Sequence, residues 1–233
     1  MNKTIKYLSL TAVLLLYIAI GGLSHAKGII NTMKPETIKL PAPAQNSDIS
    51  IEEALSKRRS VRRYIDAPLT LAEISQLLWA AQGITSLKGL RTAPSAGALY
   101  PLEVYVVAGN VDGLPDGIYN YKPHKYELEK FADGDKRAEL STAALGQAPI
   151  KKAAAVIVIS AVYERITGKY GERGIQYTHI ETGHAAQNVQ LQAVSLELAT
   201  VVIGAFYEDE VRKVMRMSDA EVPLYIIPVG KMK

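Results

Sequence analysis

The chain has 233 residues, 48% of them hydrophobic and 21% charged, enough for one globular domain of about 190 residues with a sizeable core and short appendages. The formal net charge of +4 is mild, and no basic stripe interleaved with aromatics occurs, which argues against a nucleic-acid partner. There is no cysteine, which excludes disulfides, thiolate metal sites, a cysteine nucleophile and lipid attachment through an N-terminal Cys.

Residues 1–26 carry a processing signal. Lys3 and Lys6 precede an uncharged apolar run over 8–23, and Ser24-His25-Ala26 places small residues at the −3 and −1 positions of a cleavage site. The run is about 16 residues, short of the roughly 20 that a spanning helix needs. The reading is a cleaved signal peptide that exports the domain; an uncleaved N-terminal anchor, the chain's one route to a membrane, is the rival. Residues 27–49, punctuated by Pro35, Pro41 and Pro43, lack either period and read as a linker or extended arm. The domain proper is assigned to 50–233.

Ser50 with Glu53 and Thr70 with Glu73 have the spacing of capping boxes. The second opens an apolar face of Leu71, Ile74, Leu77, Leu78 and Ala81, with Gly83 as its stop. Strands are expected over 102–107, as a hairpin over 117–122 and 126–131 around Pro123-His124-Lys125, and over 154–160, 200–206 and 224–229. Helices are expected over 136–145, 177–198 and 208–215. Helices and strands mix without strict βαβ alternation, which predicts an α+β fold.

No G-x-G-x-x-G or Walker A loop is present, and Ser95 lacks the first glycine of a nucleophile elbow. His179, Glu181 and His184 suggest a metal site only superficially: a five-residue spacing turns the two histidines away from each other on a helix, so no metal is assigned. The dense segment is Arg58-Arg59-Ser60-Val61-Arg62-Arg63-Tyr64. Four guanidiniums this close repel one another and suit an anion, since arginine forks and a hydroxyl match phosphate oxygens. The plain alternative is a solvated helix end. From the spacing alone both stand.

This segment resembles the R-R-S-x-R signature that opens nitroreductase domains. Three further segments follow in that family's order: Ala93-Pro94-Ser95-Ala96-Gly97-Ala98-Leu99-Tyr100-Pro101, which is similar to the A-P-S-A-G-x-x-Y-P element of the SagB-type, azoline oxidase-like branch; Glu181-x-Gly183-His184-x-x-Gln187-Asn188; and Ile203-Gly204-Ala205-Phe206. The resemblance covers about residues 50–231. It implies a nitroreductase-like α+β fold, a mainly antiparallel sheet flanked by helices, in an intertwined homodimer with FMN between the subunits.

Carried over by position, it implies that Arg58, Ser60 and Arg62, with Arg59 beside them, hold the flavin. Pro94, Ser95, Ala96, Gly97 and Leu99 pack on it, commonly on the partner's. Gly204 and Ala205 present a backbone N–H to the flavin ring, and Lys231 adds charge at the phosphate. The implied activity is two-electron transfer with NAD(P)H as one candidate reductant and a small molecule as acceptor. In the SagB-like alternative, the substrate is a modified peptide whose azolines are oxidised, and Lys169-Tyr170 matches that group's catalytic pair. A lysine serves as base only when its environment favours the neutral amine. The glycines around the pair, Gly168, Gly171 and Gly174, predict an exposed loop. A non-enzymatic flavin-binding protein is the third reading. Export sets a condition on all of them, because NAD(P)H is a cytosolic reductant.

Overall fold

The computed structural model describes residues 36–233, so the signal-like segment and the first residues of the arm lie outside the described part. Nine strands are present there: β1 (Thr37–Lys39), β2 (Leu69–Thr70), β3 (Leu102–Ala108), β4 (Val111–Asp112), β5 (Gly117–Lys122), β6 (Glu127–Asp133), β7 (Ala155–Val162), β8 (Leu198–Thr200) and β9 (Glu221–Lys231). The helices are α1 (Ile51–Lys57), α2 (Leu71–Gln82), α3 (Arg137–Ala143), α4 (Ala148–Lys152), α5 (Glu164–Tyr170), α6 (Arg173–Ser195) and α7 (Glu208–Met215).

Seven strands form one sheet in the order β1-β6-β5-β3-β7-β9-β8, with every pairing antiparallel; β2 and β4 make a separate parallel pair. The α+β expectation holds. Strand β7 reads Ala-Val-Ile-Val-Ile-Ser-Ala-Val and is buried over its first seven residues, as a central strand covered on both faces must be. Its alternate side chains divide between two cores. Ala155, Ile157 and Ile159 join Val104 and Val106 of β3 and pack on Ile74, Leu77 and Leu78 of α2 and Ala185, Val189 and Ala193 of α6. Val156 and Val158 turn the other way, onto Leu140 of α3, Ile150 of α4 and Val211 and Met215 of α7. The result is a sheet between two helical layers, each side chain of Val or Ile size contributing about 1.5–3 kcal/mol by burial.

The structure revises several sequence expectations. The 27–49 arm is a packed element from Glu36 onward: β1 pairs with β6, Leu40 is buried, and Gln76 of α2 exchanges hydrogen bonds with Ala44 N–H and C=O at 2.8 and 3.1 Å. The strand expected at 200–206 stops at Thr200, because the chain peels off β9 and touches it again only through Ile203 and Ile226. The long helix starts at Arg173, four residues early. Gly174 lets α5 and α6 pack closely there, since a Cβ would lie 3.2 Å from the Ile166 backbone of α5. Residues 164–170 are helical, so Lys169 and Tyr170 end a helix rather than occupy a loop.

Of the two capping boxes, Thr70–Glu73 is complete, whereas at Ser50 only the serine side chain caps and Glu53 turns to Lys57. Gly83 ends α2 at a φ of −64°; its need for glycine comes from the Trp79 ring, which a Cβ would meet at 2.2 Å.

Candidate functional site

The basic segment leaves α1 and crosses the edge of the sheet. Val61 N–H donates to Thr200 C=O at 2.9 Å and Ile65 N–H to Lys231 C=O at 3.2 Å, so 58–65 lies along the ends of β8 and β9. Arg58, the C-cap of α1, is half-buried, and its Nη1 donates to Gln190 Oε1 on α6 at 3.4 Å. Arg59 folds back onto the carbonyls of Ser56 and Arg58, and Arg62 reaches the Ser60 carbonyl at 3.5 Å. Ser60 is exposed. Among the described residues, none of Arg58, Arg59, Arg62 and Arg63 has a carboxylate within 4.0 Å. This concentration of uncompensated guanidinium charge is what an anionic group requires.

Lys231 differs from them: it is ion-paired with Glu73, which also completes the Thr70 capping box. Burial alone would raise the Glu73 carboxyl, but hydrogen bonds from Lys231 and Thr70 outweigh it and hold it below the usual carboxylate range. Lys231 therefore adds charge to an anion only by sharing itself with Glu73. Gly204 and Ala205 are exposed, with Gln147 Nε2 donating to Ala205 C=O at 2.9 Å. Gly204 lies against Tyr225 of β9, six residues from Lys231, or about 20 Å along the strand. The edge thus has a basic end and a glycine end.

The second group of expected residues assembles elsewhere. Pro94, Ser95, Ala96, Gly97 and Leu99 form a loop with a 3-10 turn (Ala96–Ala98), in which Gly97, Ala98 and Tyr100 all have positive φ, at 64°, 54° and 47°. For Ala98 and Tyr100 this costs on the order of 1–2 kcal/mol each, so the loop must be held. Ser95 Oγ accepts Tyr100 N–H at 2.9 Å, Tyr100 Oη accepts Arg91 N–H at 3.2 Å, and the Arg91 guanidinium stacks 4.3 Å above the Tyr100 ring.

Lys169 and Tyr170 come down on this loop. A Cβ at Gly97 would fall 2.9 Å from Tyr170 Oη and 3.0 Å from Lys169 Nζ. Tyr177 of α6 packs edge-on against Tyr170, with ring centroids 5.3 Å apart. An amine and a phenol therefore meet over a glycine, in the space that a side chain there would fill.

The two groups occupy different stretches of α6. Arg58 reaches Gln190, while Ser95 lies beside Glu181, nine residues and about 14 Å of helix away. One chain thus presents two separate surfaces. Between the arm, α2 and α6 runs an open groove of about 700 Å³ lined by Ala44, Ile51, Gln76, Trp79 and Asn188 among others.

Arg91, Tyr100, Tyr177, Gln190 and Glu181 escaped the sequence reading as site residues. Glu181 had a readable signal: it stands in the stripe that continues through Ala185 and Val189, where an acid is out of place. It is buried, and neither carboxylate oxygen has a hydrogen-bond partner. Burial pushes its carboxyl up to about 7 against the opposing influence of the Ser95 hydroxyl and the Arg91 guanidinium. His179 Nε2 bonds Tyr163 Oη at 2.8 Å and His184 is exposed; no cluster of metal-ligating residues occurs among the described residues.

The sequence profile of the nitroreductase family matches residues 55–231. A Methanocaldococcus jannaschii protein with a provisional nitroreductase name is 46% identical over 196 residues, covering 84% of this chain and 98% of that one. The Escherichia coli microcin B17-processing protein McbC is 28% identical over 142 residues, 59% of this chain and 52% of McbC, so that the chain spans about half of that relative. Among solved structures, a provisionally named nitroreductase from Ralstonia eutropha superposes with a TM-score of 0.75 at 29% identity, over 84% of this chain and 90% of the other.

Proposed function

The chain belongs to the nitroreductase family, in its SagB-like branch, and from that footing we propose that it is an FMN-dependent oxidoreductase whose flavin lies between two copies. The carrying observation is the set of guanidiniums at Arg58, Arg59 and Arg62 that no carboxylate among the described residues answers, on an edge that ends in the exposed backbone of Gly204 and Ala205. Bound there, FMN supplies two-electron transfer at its ring nitrogen. Arg58, Ser60 and Arg62 hold its phosphate and ribityl oxygens, and Arg59 adds charge. Lys231 contributes while bridged to Glu73. The N–H groups of Gly204 and Ala205 would serve as donors to its ring.

The loop of Pro94, Ser95, Ala96, Gly97 and Leu99 would cover the ring of the flavin held by the second copy. Two apolar side chains on α1, Ile51 and Leu55, are 56% and 54% exposed, and Ile175 and Ile180 of α6 are exposed as well; they supply the apolar surface of a homodimer. FMN titrated into the purified chain tests this reading. Arg58→Ala with Arg62→Ala weakens binding by at least about tenfold, the worth of one charge-assisted hydrogen bond. Unchanged affinity would remove these residues from the site.

One observation favours a particular direction of chemistry. Lys169 Nζ and Tyr170 Oη meet over Gly97, on the loop proposed to cover the flavin, and the relatives include a peptide-processing protein. Oxidising a peptide azoline removes a proton and a hydride from neighbouring ring atoms. The pair is placed to take the proton, Lys169 as base and Tyr170 as its hydrogen-bonding partner. In a reductive cycle with NAD(P)H and a small acceptor, the same pair orients the acceptor. Residues 1–26 export the domain in this account, which puts the electron donor outside the cytosolic NAD(P)H pool. Loss of azole formation in Lys169→Ala and Tyr170→Ala, with FMN still bound, supports the peptide reading; unchanged azole formation rejects it.

A further inference from the structure

Glu181 is 2% exposed at the middle of α6, and both of its oxygens are buried without a partner. An apolar residue would pack there without the desolvation cost that a carboxyl carries, so its position calls for an account. Two polar neighbours address it. Ser95 Oγ already accepts the Tyr100 N–H and so has its own proton free for a carboxyl oxygen. Arg91 has a buried Nε with no acceptor, while its guanidinium stacks on Tyr100. Glu181 thus lies beside Ser95 and within the electrostatic reach of Arg91, the two residues that grip Tyr100 in its left-handed conformation. One turn back on α6, Tyr177 packs on Tyr170, whose hydroxyl stands over Gly97.

The charges around it are few. Arg91 is the cation that acts on Glu181. On α6 itself Tyr177 and His184 flank it by one turn, and His184 is exposed. The end of α5 brings Lys169 and Tyr170, together with Arg165, which is paired with Glu103. The only charged residue of α2 is Glu73, tied to Lys231.

We propose that Glu181 is the positioning residue of the 93–101 loop. As a neutral acid it takes the Ser95 hydroxyl and leaves Arg91 on Tyr100; as a carboxylate it draws the Arg91 Nε and slackens the grip on Tyr100. One buried proton thereby sets the surface offered to the flavin. Only this last step rests on the FMN reading.

The test is an amide NMR titration of the intact, flavin-free chain from about pH 5.5 to about 8.5, a range that brackets the expected midpoint. The Tyr100 amide, which donates to Ser95 Oγ, moves through a single transition with a midpoint near pH 7, and stays fixed in Glu181→Gln. In Ser95→Ala, which keeps the carboxyl and serves if the glutamine variant does not fold, the midpoint moves up, because the hydroxyl that lowers it is gone. A Tyr100 amide that does not titrate, or titrates equally in Glu181→Gln, or an unmoved midpoint in Ser95→Ala, overturns the proposal.

FMN affinity measured over the same range changes about tenfold more in the wild type than in Glu181→Gln, one hydrogen bond's worth. Equal changes sever the link between the loop and the flavin. Absence of FMN binding at every pH, with Tyr100 still titrating, rejects the flavin reading and upholds the role of Glu181 in the loop.

Discussion

At the scale of single residues, the site is described by what lacks a partner and by what lacks a side chain. Gly97 has both constraints of glycine at once: a φ of 64° and the Lys169 amine and Tyr170 hydroxyl in the space of a Cβ. Gly97→Ala therefore lowers stability by on the order of 1–2 kcal/mol through strain and pushes the pair off the loop. Urea unfolding checks the first effect, and a crystal structure of the variant the second.

Glu181 makes a prediction of opposite character. Burial pushes its folded carboxyl up to about 7, above the usual 4.5 of a glutamate, so between those values the folded chain holds the proton that the unfolded chain has released. This contribution to stability is fully present below about pH 4.5 and is lost as pH rises through 7, by on the order of 3 kcal/mol. Glu181→Gln removes that slope. Denaturant midpoints at several pH values read it directly, and parallel slopes in the two proteins would contradict the assignment.

At the scale of elements, what could be read in the sequence follows from what local chemistry controls. The Thr70–Glu73 box, the stripe of Ile74, Leu77, Leu78 and Ala81, and the β-branched run at 155–159 each announce their structure within a few residues. All three stand as read. The misplaced elements are those fixed by distant partners. Thr37–Lys39 has no pattern of its own and becomes a strand because β6 offers an edge. Residues 201–206 have the β-branched content of a strand but leave β9, carrying Val201 and Ile203 into the second core.

Lys169 and Tyr170 sit among glycines that argue for a loop, yet Gly174 serves the contact between α5 and α6 instead. The basic segment and the 93–101 loop were legible as motifs; that Lys169 and Tyr170 stand over Gly97 was not, since the contact joins residues more than 70 apart. The caps give an element-scale prediction. Thr70→Ala costs about 1 kcal/mol and frees Glu73, which also anchors Lys231; Ser50→Ala costs less, because its box is only half made. Thermal unfolding of the two variants ranks them.

At the scale of the whole molecule, the two surfaces lie about 14 Å apart along α6, one basic and one built on the 93–101 loop, and the homodimer proposed above is what would bring the two together. Light scattering on the intact protein is expected to give a dimer. Ile51→Asp with Leu55→Asp, on the exposed face of α1, shifts it toward monomer and lowers FMN affinity in parallel. A monomer that holds FMN as tightly as the dimer would separate the flavin site from the interface.

The most direct test of the central claim is the visible spectrum of the purified chain, as isolated and after reconstitution with FMN, followed by anaerobic addition of NADH and NADPH. The expected result is the absorption of bound oxidised flavin, with bleaching by NADH or NADPH if the site accepts a nicotinamide donor. A flavin that stays oxidised directs the search to another donor or to a substrate-oxidising cycle. A protein that remains colourless after reconstitution contradicts the reading of Arg58, Ser60 and Arg62, and with it the oxidoreductase proposed here.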